Sequence, residues 1–501
     1  MELDLRPYQR QIVESVKMKG STLVVLPTGL GKTHVALALI KENMVSGGKS
    51  LFLTPTKPLA RQHYLTMQKT LDLGSEQISL VTGEVGGMKR KALYTAKIFV
   101  STPQTIKNDM KKGIYPAKDT TLAIFDEAHR AVGDYAYVPI AGNLPENCVS
   151  LALTASPGGD RARIKEVLSN LNIKNIEIMV ETDAAIRPYT KNLAASWIPV
   201  DLSQELREAD SHLAALIREY SQKLGNSYQK PPITSKKQFM LYGHRLQAMR
   251  HPAKYTLLSH YYALLHLIHL QELLQTQGPH PALNYITKLK SSTSRTSAAL
   301  VARPEMVGAF KILSSAGDHP KTIKLLSLLS SMKNSKVILF VQYRDQINRI
   351  KEVLDANGFS SRIFVGKRDG FTKRMQEETM DAFRRDEFKI LVASSIGEEG
   401  LDIPAVDSVI FFEPIPSEIR SIQRRGRAGR FKDGSVHVLM TRATRDEYYF
   451  WASRKREQKM KEILLSLQKE MERKRFSPES KIQKDAPMRV GGQSNLNDFQ
   501  P

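Results

Sequence analysis

Residues 21–44 read STLVVLPTGLGKTHVALALIKENM and give the first indication of how this chain folds. The apolar run at 21–26 is typical of a buried strand, and HVALALIKENM at 34–44 has the spacing of a helix. A glycine-containing loop, PTGLGKT at 27–33, joins the two. Strand, glycine loop and helix in this order predict a loop that binds the phosphates of a nucleotide.

The loop predicts a role for each of its polar groups. Gly29 and Gly31 let the backbone approach phosphate closely, and the helix N-terminus adds amide donors. Lys32 would reach the β- and γ-phosphates, and Thr33 would ligate Mg²⁺. The general pattern has a glycine where Leu26 stands, so an ordinary glycine turn is the alternative. The predicted cofactors are ATP and Mg²⁺, and the predicted loop contacts are Leu26, Pro27, Thr28, Gly29, Leu30, Gly31, Lys32 and Thr33.

A pair of adjacent carboxylates, Asp126 and Glu127, ends the apolar run TLAIF at 121–125. Like charges this close repel and are costly to desolvate, so a cation is expected beside them. Asp126 would hold Mg²⁺ near Lys32 and Thr33, and Glu127 would orient and deprotonate the attacking water. The alternative is an Asp–Glu pair at a helix N-terminus, where the helix dipole favours negative charge.

Further motifs make the chain resemble a superfamily 2 helicase of the DEAH type. Near the N-terminus, RPYQR at 6–10 resembles the adenine-reading segment, with Gln9 as its hydrogen-bonding candidate. The other matching segments are TPTKPLA at 54–60, TGE at 82–84, STPQT at 101–105, LTAS at 153–156, VASSIGEEGLDIP at 392–404 and QRRGRAGR at 423–430.

The resemblance implies roles for residues far from the loop. Arg427 and Arg430 would act as arginine fingers on the γ-phosphate, and Gln423 leads their motif. His129, Gly400 and Asp402 would contribute to the nucleotide site. The resemblance also implies a set of DNA-binding residues, namely Thr54, Pro55, Thr56, Lys57, Thr82, Gly83, Ser101, Thr102, Pro103 and Gln342.

Several stretches resemble one branch of these helicases, the archaeal Hef proteins and their Fanconi-anaemia M relatives. The likeness covers about residues 1–450 and rests on PTGLGKT, DEAHRAVGDYAY, GEEGLDIP and PSEIRSIQRRGRAGR. Hef proteins often carry an XPF-type nuclease. ERK at 472–474 resembles a fragment of the nuclease signature, but no Gly-Asp element precedes it and no aspartate stands four residues after Lys474. We therefore expect no nuclease activity.

The order of predicted strands and helices along the chain indicates its domains. Strands and helices alternate over 1–180 and 321–450, which indicates two parallel-sheet α/β domains. Long helical patterns fill the region between them, where residues 205–320 hold 14 Lys and Arg against 7 Asp and Glu. We predict RecA-like motor domains at 1–200 and 321–455, an all-helical insert at 201–320, and a basic helix with a disordered tail at 456–501.

Charge narrows the choice of partner. The formal net charge of +23 points to a polyanion, and nucleic acid is the commonest one. The single cysteine, Cys148, excludes an internal disulfide and fits a reducing compartment. No secretory signal and no apolar run of 18 residues is seen, so we expect a cytoplasmic, nucleoid-associated protein with no membrane partner.

Gln493, Leu496 and Phe499 have the spacing of a sliding-clamp peptide, although Gln500 replaces its second aromatic residue.

These observations lead to one expected function and two alternatives. The resemblance implies an ATP-dependent DNA helicase or translocase that moves 3′ to 5′ on branched DNA, such as replication forks and Holliday junctions, in DNA repair. The helical insert would grip duplex or branched nucleic acid, unless it is a structural spacer. The first alternative is a duplex-RNA translocase. The second is a scaffold that binds nucleic acid without turnover, against which the presence of Lys32, Asp126 and Glu127 argues.

Overall fold

The computed structural model describes residues 3–27, 29–74, 76–179, 183–189, 195–332, 334–366, 371–394, 406–414 and 435–476. Within these ranges, two parallel sheets and a group of packed helices account for the fold. The predicted fold class, two α/β domains with an all-helical insert between them, is confirmed.

The first sheet has seven parallel strands. In spatial order they are β3 (Ile78–Val81), β4 (Ile98–Ser101), β2 (Lys49–Leu53), β5 (Thr120–Asp126), β6 (Val149–Thr154), β1 (Thr22–Val25) and β7 (Asn175–Ile178). Its helices are α1 (Pro7–Lys19), α2 (Lys32–Val45), α3 (Lys57–Leu71), α4 (Gly87–Leu93), α5 (Pro103–Lys111), α6 (Tyr137–Ala141) and α7 (Arg161–Asn170). Alternate residues of β1 enter two separate apolar cores, one on each face. Both faces are therefore buried, as a parallel sheet requires.

The second sheet has six parallel strands. In spatial order they are β10 (Ser361–Phe364), β11 (Ile390–Ala393), β9 (Val337–Phe340), β12 (Ser408–Phe411), β13 (Ser435–Thr441) and β8 (Ala195–Val200). Its helices include α14 (Pro320–Ser331), α15 (Arg344–Ala356) and α16 (Lys373–Arg384). The strands predicted at 336–341, 388–393, 407–412 and 435–440 correspond to β9, β11, β12 and β13.

The insert is a bundle of six helices with its own leucine-rich core. The six helices are α8 (Gln204–Ser227), α9 (Lys236–Ala248), α10 (Lys254–Thr276), α11 (Pro279–Lys290), α12 (Arg295–Val301) and α13 (Pro304–Ser315). Three of them, α8, α10 and α13, form its centre, and α10 and α13 both pack against α8. Polar contacts fix the bundle to the second domain, where Arg445 lies 3.0 Å from Glu272 of α10.

Two boundaries of the predicted domains differ from the structure. Strand β8 falls in the range predicted for the first domain, but it pairs in parallel with β13 at the edge of the second sheet. Helix α17 (Arg445–Phe476) runs unbroken across the boundary predicted at residue 456. A short strand carries no local mark of the sheet that it joins, because its hydrogen-bonding partner lies far away in the chain.

Helix α17 returns the chain to the first domain. Its buried residues Met460, Ile463, Leu464 and Leu467 belong to the same apolar core as β1 and β5. On its exposed side, Arg161 of α7 donates hydrogen bonds to Ser466 and Glu470. The helix therefore links both α/β domains. No helix in the described ranges is long and apolar enough to cross a membrane.

Candidate functional site

The loop between β1 and α2 has the shape that the sequence predicts. Gly31 caps α2 with a left-handed backbone, at φ 73°, which glycine adopts without strain. A Cβ atom at this position would lie 2.4 Å from Nε2 of Gln9, so a side chain here would have to displace the Gln9 amide. The ammonium of Lys32 donates to the carbonyl oxygen of Leu26 at 3.1 Å and so crosses the loop. Lys32 therefore lies over the place where phosphate would bind.

The N-terminal segment holds this loop from behind. The Gln9 amide donates to the carbonyl oxygen of Leu30 at 3.1 Å and accepts from the Arg6 backbone N–H at 2.9 Å. The Tyr8 hydroxyl also donates to the Leu30 carbonyl, at 2.8 Å. Gln9 is only 3% exposed, so its side chain supports the loop in this structure. Contact between Gln9 and adenine stays a prediction.

Asp126 lies at the carboxyl end of β5, on the same sheet edge as the loop. Its carboxylate is 3.4 Å from Nε2 of His63 on α3. The hydroxyl of Tyr137 donates to the backbone carbonyl of Asp126 at 2.6 Å and fixes the end of the strand. The strand end is thus held from two sides, and the Asp126 side chain keeps partial access to solvent.

Glu127 has an unusual backbone for its residue type. Its φ of 51° places it in the left-handed region, which costs free energy for a residue with a Cβ and is found most often at functional sites. Burial by itself raises the pKa of Glu127, but the nearby charges of His129, Lys32 and Arg130 outweigh burial and lower that pKa to about 2. The charge of Lys32 therefore reaches Glu127, and the loop and the acidic pair form one site.

His129 connects this site to the motif at 153–156. Its Nδ1 lies 3.4 Å from the Glu127 carboxylate and 3.2 Å from the hydroxyl of Thr154. Thr154 in turn accepts a hydrogen bond from the backbone N–H of Ser156 at 3.1 Å. All four residues are buried or half-buried. A chain of polar contacts therefore connects the acidic pair to the segment that follows β6.

The residues present fit a Mg²⁺ ion that is shared with nucleotide phosphates. One oxygen of Glu127, Oε2, is buried, and its neighbour is Nδ1 of His129 at 3.4 Å, outside the geometry of a hydrogen bond. Mg²⁺ commonly takes one or two protein ligands and completes its shell with water and phosphate oxygens. Asp126 and Thr33 would supply such a pair. No cluster of three or more His, Cys, Asp or Glu suited to a metal occurs in the described ranges, and a phosphate-bound Mg²⁺ does not need one.

A groove of about 640 Å³ opens beside the nucleotide site. It lies where β2, β3 and β4 end, so the three predicted DNA-binding segments converge there. Helices α3 and α5 begin at its rim, and the backbone N–H groups at their N-termini can donate hydrogen bonds to phosphate. Its lining residues are Pro55, Lys57, Gly83, Glu84, Val85, Gly86, Gly87, Arg90, Thr102, Gln104, Thr105, Asn108 and Lys112.

Several predicted DNA contacts lie beneath this groove. Thr54 and Ser101 are fully buried, and Pro103 and Thr82 are buried as well. The Ser101 hydroxyl donates to the carbonyl oxygen of Val81 at 2.7 Å and so ties β4 to β3. The side chains of Thr54 and Ser101 are therefore enclosed in this structure, and contact between these residues and DNA stays a prediction.

Lys57 and Glu84 face each other across the rim of the groove. Their charged atoms lie 3.0 Å apart, and both side chains are about half exposed or more. An exposed ion pair contributes little to stability and is easily exchanged for another partner. Lys57 is therefore available to a phosphate that displaces Glu84. Thr56 is used as the cap of α3, where its hydroxyl accepts from the Leu59 N–H.

On the second domain, Gln342 follows β9 and is exposed. Its backbone N–H donates to the buried carboxylate of Glu413. The other residues predicted from the second domain, together with one residue of the loop and the clamp-like peptide, lie outside the described ranges. These are Thr28, Gly400, Asp402, Gln423, Arg427, Arg430, Gln493, Leu496 and Phe499.

Sequence reasoning missed four residues that support these sites. Tyr8 contacts the phosphate loop, and His63 contacts Asp126. Arg90 and Asp109 form a buried ion pair at the groove. Asp109 could have been noticed in the sequence, because it is a charged residue on the buried face of a predicted helix and a buried charge needs a partner. His63 carried no such signal, because its partner lies on a different element.

Comparison with known proteins agrees with this geometry. Residues 2–159 match the family described as "Type III restriction enzyme, res subunit", and residues 320–432 match the "Helicase conserved C-terminal domain". The crystal structure of the Pyrococcus furiosus Hef helicase domain superposes with a TM-score of 0.70 and 38% identity, over 90% of this chain and 98% of that chain. The chain belongs to the Hef and Fanconi-anaemia M family of superfamily 2 helicases.

Curated members of the Hef and Fanconi-anaemia M family are longer than this chain. A Methanocaldococcus jannaschii protein whose name describes an ATP-dependent RNA helicase is 35% identical, over 93% of this chain and 61% of its own length. The ATP-dependent DNA helicase of Pyricularia oryzae is 32% identical, over 89% of this chain and 44% of its own length. The chain thus spans about three fifths or less of these relatives, and corresponds to their helicase region.

Proposed function

We propose that this Hef-type chain is an ATP-dependent DNA helicase or translocase that moves 3′ to 5′ on branched DNA. One observation carries the proposal. The phosphate loop, the acidic pair and the DNA groove all follow the carboxyl ends of strands in one sheet, so nucleotide and nucleic acid would bind along one edge. The names of the relatives add that members act on DNA.

The nucleotide chemistry follows from the residues at this edge. Lys32 would leave the Leu26 carbonyl and hold the β- and γ-phosphates. Thr33 and Asp126 would hold Mg²⁺, which supplies positive charge to the phosphates. Glu127, kept ionised by its lowered pKa, would orient the attacking water and accept its proton. His129 would hold Glu127 in place through its contact with Thr154.

The second domain would complete the site. The family resemblance assigns Arg427 and Arg430 to the γ-phosphate, together with Gln423, Gly400 and Asp402. Closure of the two domains on ATP would bring these residues to Lys32, and hydrolysis would release them. Alternating closure and release, with a DNA grip on each domain, would move the chain along one strand.

The DNA track would begin in the groove of the first domain. Lys57, Gly83 and Thr102 line it, and the helix N-termini of α3 and α5 add amide donors. Pro55 and Thr56 lie at the same rim, and Gln342 would continue the track on the second domain. The buried residues Thr54, Thr82, Ser101 and Pro103 would hold the groove in shape.

The insert would recognise the branch. Its residues 220–271 contain seven Lys or Arg and no Asp or Glu. Helix α9 packs on α10 through Phe239, Tyr242 and Leu246. The opposite side of α9 is exposed and carries Lys236, Lys237, Met240, Leu241, His244 and Arg245. Cationic and apolar groups on one exposed face suit the phosphates and unstacked bases of a fork.

The proposal also includes one protein partner and one alternative substrate. The peptide with Gln493, Leu496 and Phe499 would bind a sliding clamp, and the protein would then work in the cytoplasm at the nucleoid. A duplex-RNA substrate is the second candidate, because the name of one archaeal relative describes an RNA helicase.

The test is ATPase activity with each nucleic acid in turn. Forked DNA, a four-way junction, linear duplex DNA and duplex RNA are added at equal nucleotide concentration, with Lys32→Ala as the inactive control. We expect the fork and the junction to give the largest stimulation at the lowest concentration. Stronger stimulation by duplex RNA would support the second candidate. ATPase activity that is equally high without any nucleic acid would contradict both the DNA and the RNA proposal.

A further inference from the structure

The wall of the DNA groove contains a glycine-rich segment that joins β3 to the start of α4. Residues 82–87 read TGEVGG, so three of six residues are glycines. Gly83 and Gly86 are exposed, and the space around Gly86 is open within 4 Å. Glycine lowers the cost of alternative backbone conformations, so such a loop needs an external contact to hold one shape.

That contact comes from Arg90 on α4. One nitrogen of its guanidinium, Nη1, donates to the carbonyl oxygen of Val85 in the middle of the loop. The other two nitrogens bind Asp109 on α5, with Nε 2.7 Å from Oδ2 and Nη2 2.6 Å from Oδ1. The hydroxyl of Tyr94 donates to Asp109 at 2.8 Å. A single guanidinium therefore joins the loop to α5.

Helix α5 forms the opposite wall of the groove. Its N-terminus lies at Pro103, and Gln104, Asn108 and the following Lys112 face the groove along its outer side. Asp109 is completely buried and does not line the groove, whereas its partner Arg90 does. The Arg90–Asp109 pair thus connects the two walls.

Stability alone gives a weak reason for such a pair. Burial raises the pKa of Asp109, but the bonds from Arg90 and Tyr94 and the charge of Lys112 hold it below its usual value. Both groups therefore stay charged, and both are removed from water. Buried ion pairs of this kind can often be replaced by apolar residues without loss of stability, whereas their direction-dependent bonds fix geometry.

We propose that the buried Arg90–Asp109 pair is a positioning device that sets the width of the DNA groove and so determines how tightly the first domain grips the phosphate backbone. This proposal rests on the proposed DNA-binding function of the groove. Asp109 is fully buried and would not touch DNA, and Arg90 is only 9% exposed where it lines the groove. Arg90 acts through the Val85 carbonyl, and Asp109 acts through Arg90.

The test separates groove geometry from stability. In the full chain, Arg90→Met with Asp109→Leu replaces both charges with apolar groups of similar size. Arg90→Lys keeps one charge but loses the two-pronged bond and is the milder second variant. The control is Asp318→Asn, which weakens a half-buried two-pronged pair outside the groove lining, with Arg349 Nε and Nη2 each 2.8 Å from Asp318.

Four quantities are measured for each variant: melting temperature, basal ATPase rate, maximal DNA-stimulated rate, and the forked-DNA concentration that gives half of that stimulation. We expect both Arg90 variants to raise the half-saturating DNA concentration by roughly 10- to 100-fold. The plot of log affinity against log salt should become shallower by about one unit of slope for each phosphate that the groove no longer binds. A merely structural pair would leave that slope unchanged.

Two results would overturn the proposal. If the folded double variant and Arg90→Lys bind forked DNA like the parent, or if Asp318→Asn weakens binding equally, the pair does not position the groove. If the parent itself shows no stimulation by any nucleic acid, the proposed function fails first, and the groove has nothing to position. The parent and the variants therefore report on the two proposals separately.

Discussion

The hydroxyl of Ser156 donates a hydrogen bond to the thioether sulfur of Met460 at 2.9 Å, across 304 positions of the chain. Ser156 follows β6 of the first sheet, and Met460 lies on α17, which begins beside the second sheet. Ser156 also donates its backbone N–H to Thr154, which contacts His129. A connected path therefore runs from the acidic pair to the helix that joins the two α/β domains.

Met460→Ala should loosen this connection. Met460 is 3% exposed in the core of the first domain, and removing a buried methionine side chain typically costs about 2–5 kcal/mol. Denaturant unfolding measures the change in the free energy of unfolding. The matched control is Leu465→Ala on the same helix, which is 46% exposed and should change stability by about 0.5 kcal/mol or less. Equal losses in both variants would mean that α17 does not dock as described.

Lys32→Ala should abolish ATP hydrolysis, because the γ-phosphate loses its cation. DNA binding should survive, since the groove residues lie after β2, β3 and β4 rather than in the loop. ATPase assays and fluorescence anisotropy with labelled forked DNA measure the two properties. Lys41→Ala, farther along the same helix, is the control and should keep both. Hydrolysis at the parental rate in Lys32→Ala would overturn the assignment of the loop.

Glu127→Gln should leave Mg·ATP bound and nearly stop turnover. Loss of a positioned general base typically costs ~10²–10⁴ in rate. Single-turnover kinetics would separate binding from hydrolysis. Because the pKa of Glu127 is lowered to about 2, its protonation should not limit the parental rate at pH 5 or above. A variant with full kcat would assign the base to another residue.

Glu413 should make stability depend on pH. Burial and the nearby charge of Asp446 raise its pKa, Lys321 opposes them, and the result is about 7. The folded state then binds a proton more tightly than the unfolded state, whose glutamate pKa is about 4.3, so stability falls as pH rises from about 4.5 to 7. A shift of this size corresponds to ~4 kcal/mol.

Glu413→Gln tests this dependence. The amide keeps the oxygen that accepts from the Gln342 backbone N–H but cannot ionise. Unfolding free energies at pH 5 and pH 8 should therefore differ less in the variant than in the parent. The variant should gain most at pH 8, where the parental carboxylate is buried and charged. An identical pH dependence in both proteins would assign the effect to other groups.

Removing the charge of α9 should weaken the preference for branched DNA. Lys236, Lys237 and Arg245 lie on its exposed side, and replacing all three with glutamine should spare basal ATPase activity, since they are on the insert. The ratio of half-saturating concentrations for linear duplex and fork is the measurement, and it should fall towards one. The control replaces Lys290, Arg295 and Lys311, three exposed cations on other insert helices. An unchanged ratio in the α9 variant would indicate that this face is a spacer.

Local pattern explains why much of the site was predictable. The phosphate loop, the acidic pair at the end of β5 and the alternation of strands and helices each depend on residues that are close in sequence. Spacing and apolar periodicity set the type of element and the position of a motif upon it. The convergence of the three predicted DNA-binding segments also follows, because the carboxyl ends of parallel strands meet at one edge of a sheet.

Some features could not be predicted because they depend on pairing between elements that are far apart in the chain. Nothing within residues 195–200 indicates that β8 joins the second sheet, since its partner β13 lies at 435–441. Nothing within α17 shows that its apolar side fills the core of the first domain.

The sequence by itself determined the class of fold and the positions of the phosphate loop and the acidic pair in it, because each is encoded in short, local patterns. Only the tertiary structure decided which predicted DNA contacts are buried, where α17 docks, and that Arg90 and Asp109 join the two walls of the groove. These outcomes depend on burial and on hydrogen bonds between elements that are separated in the chain, and no local pattern records them.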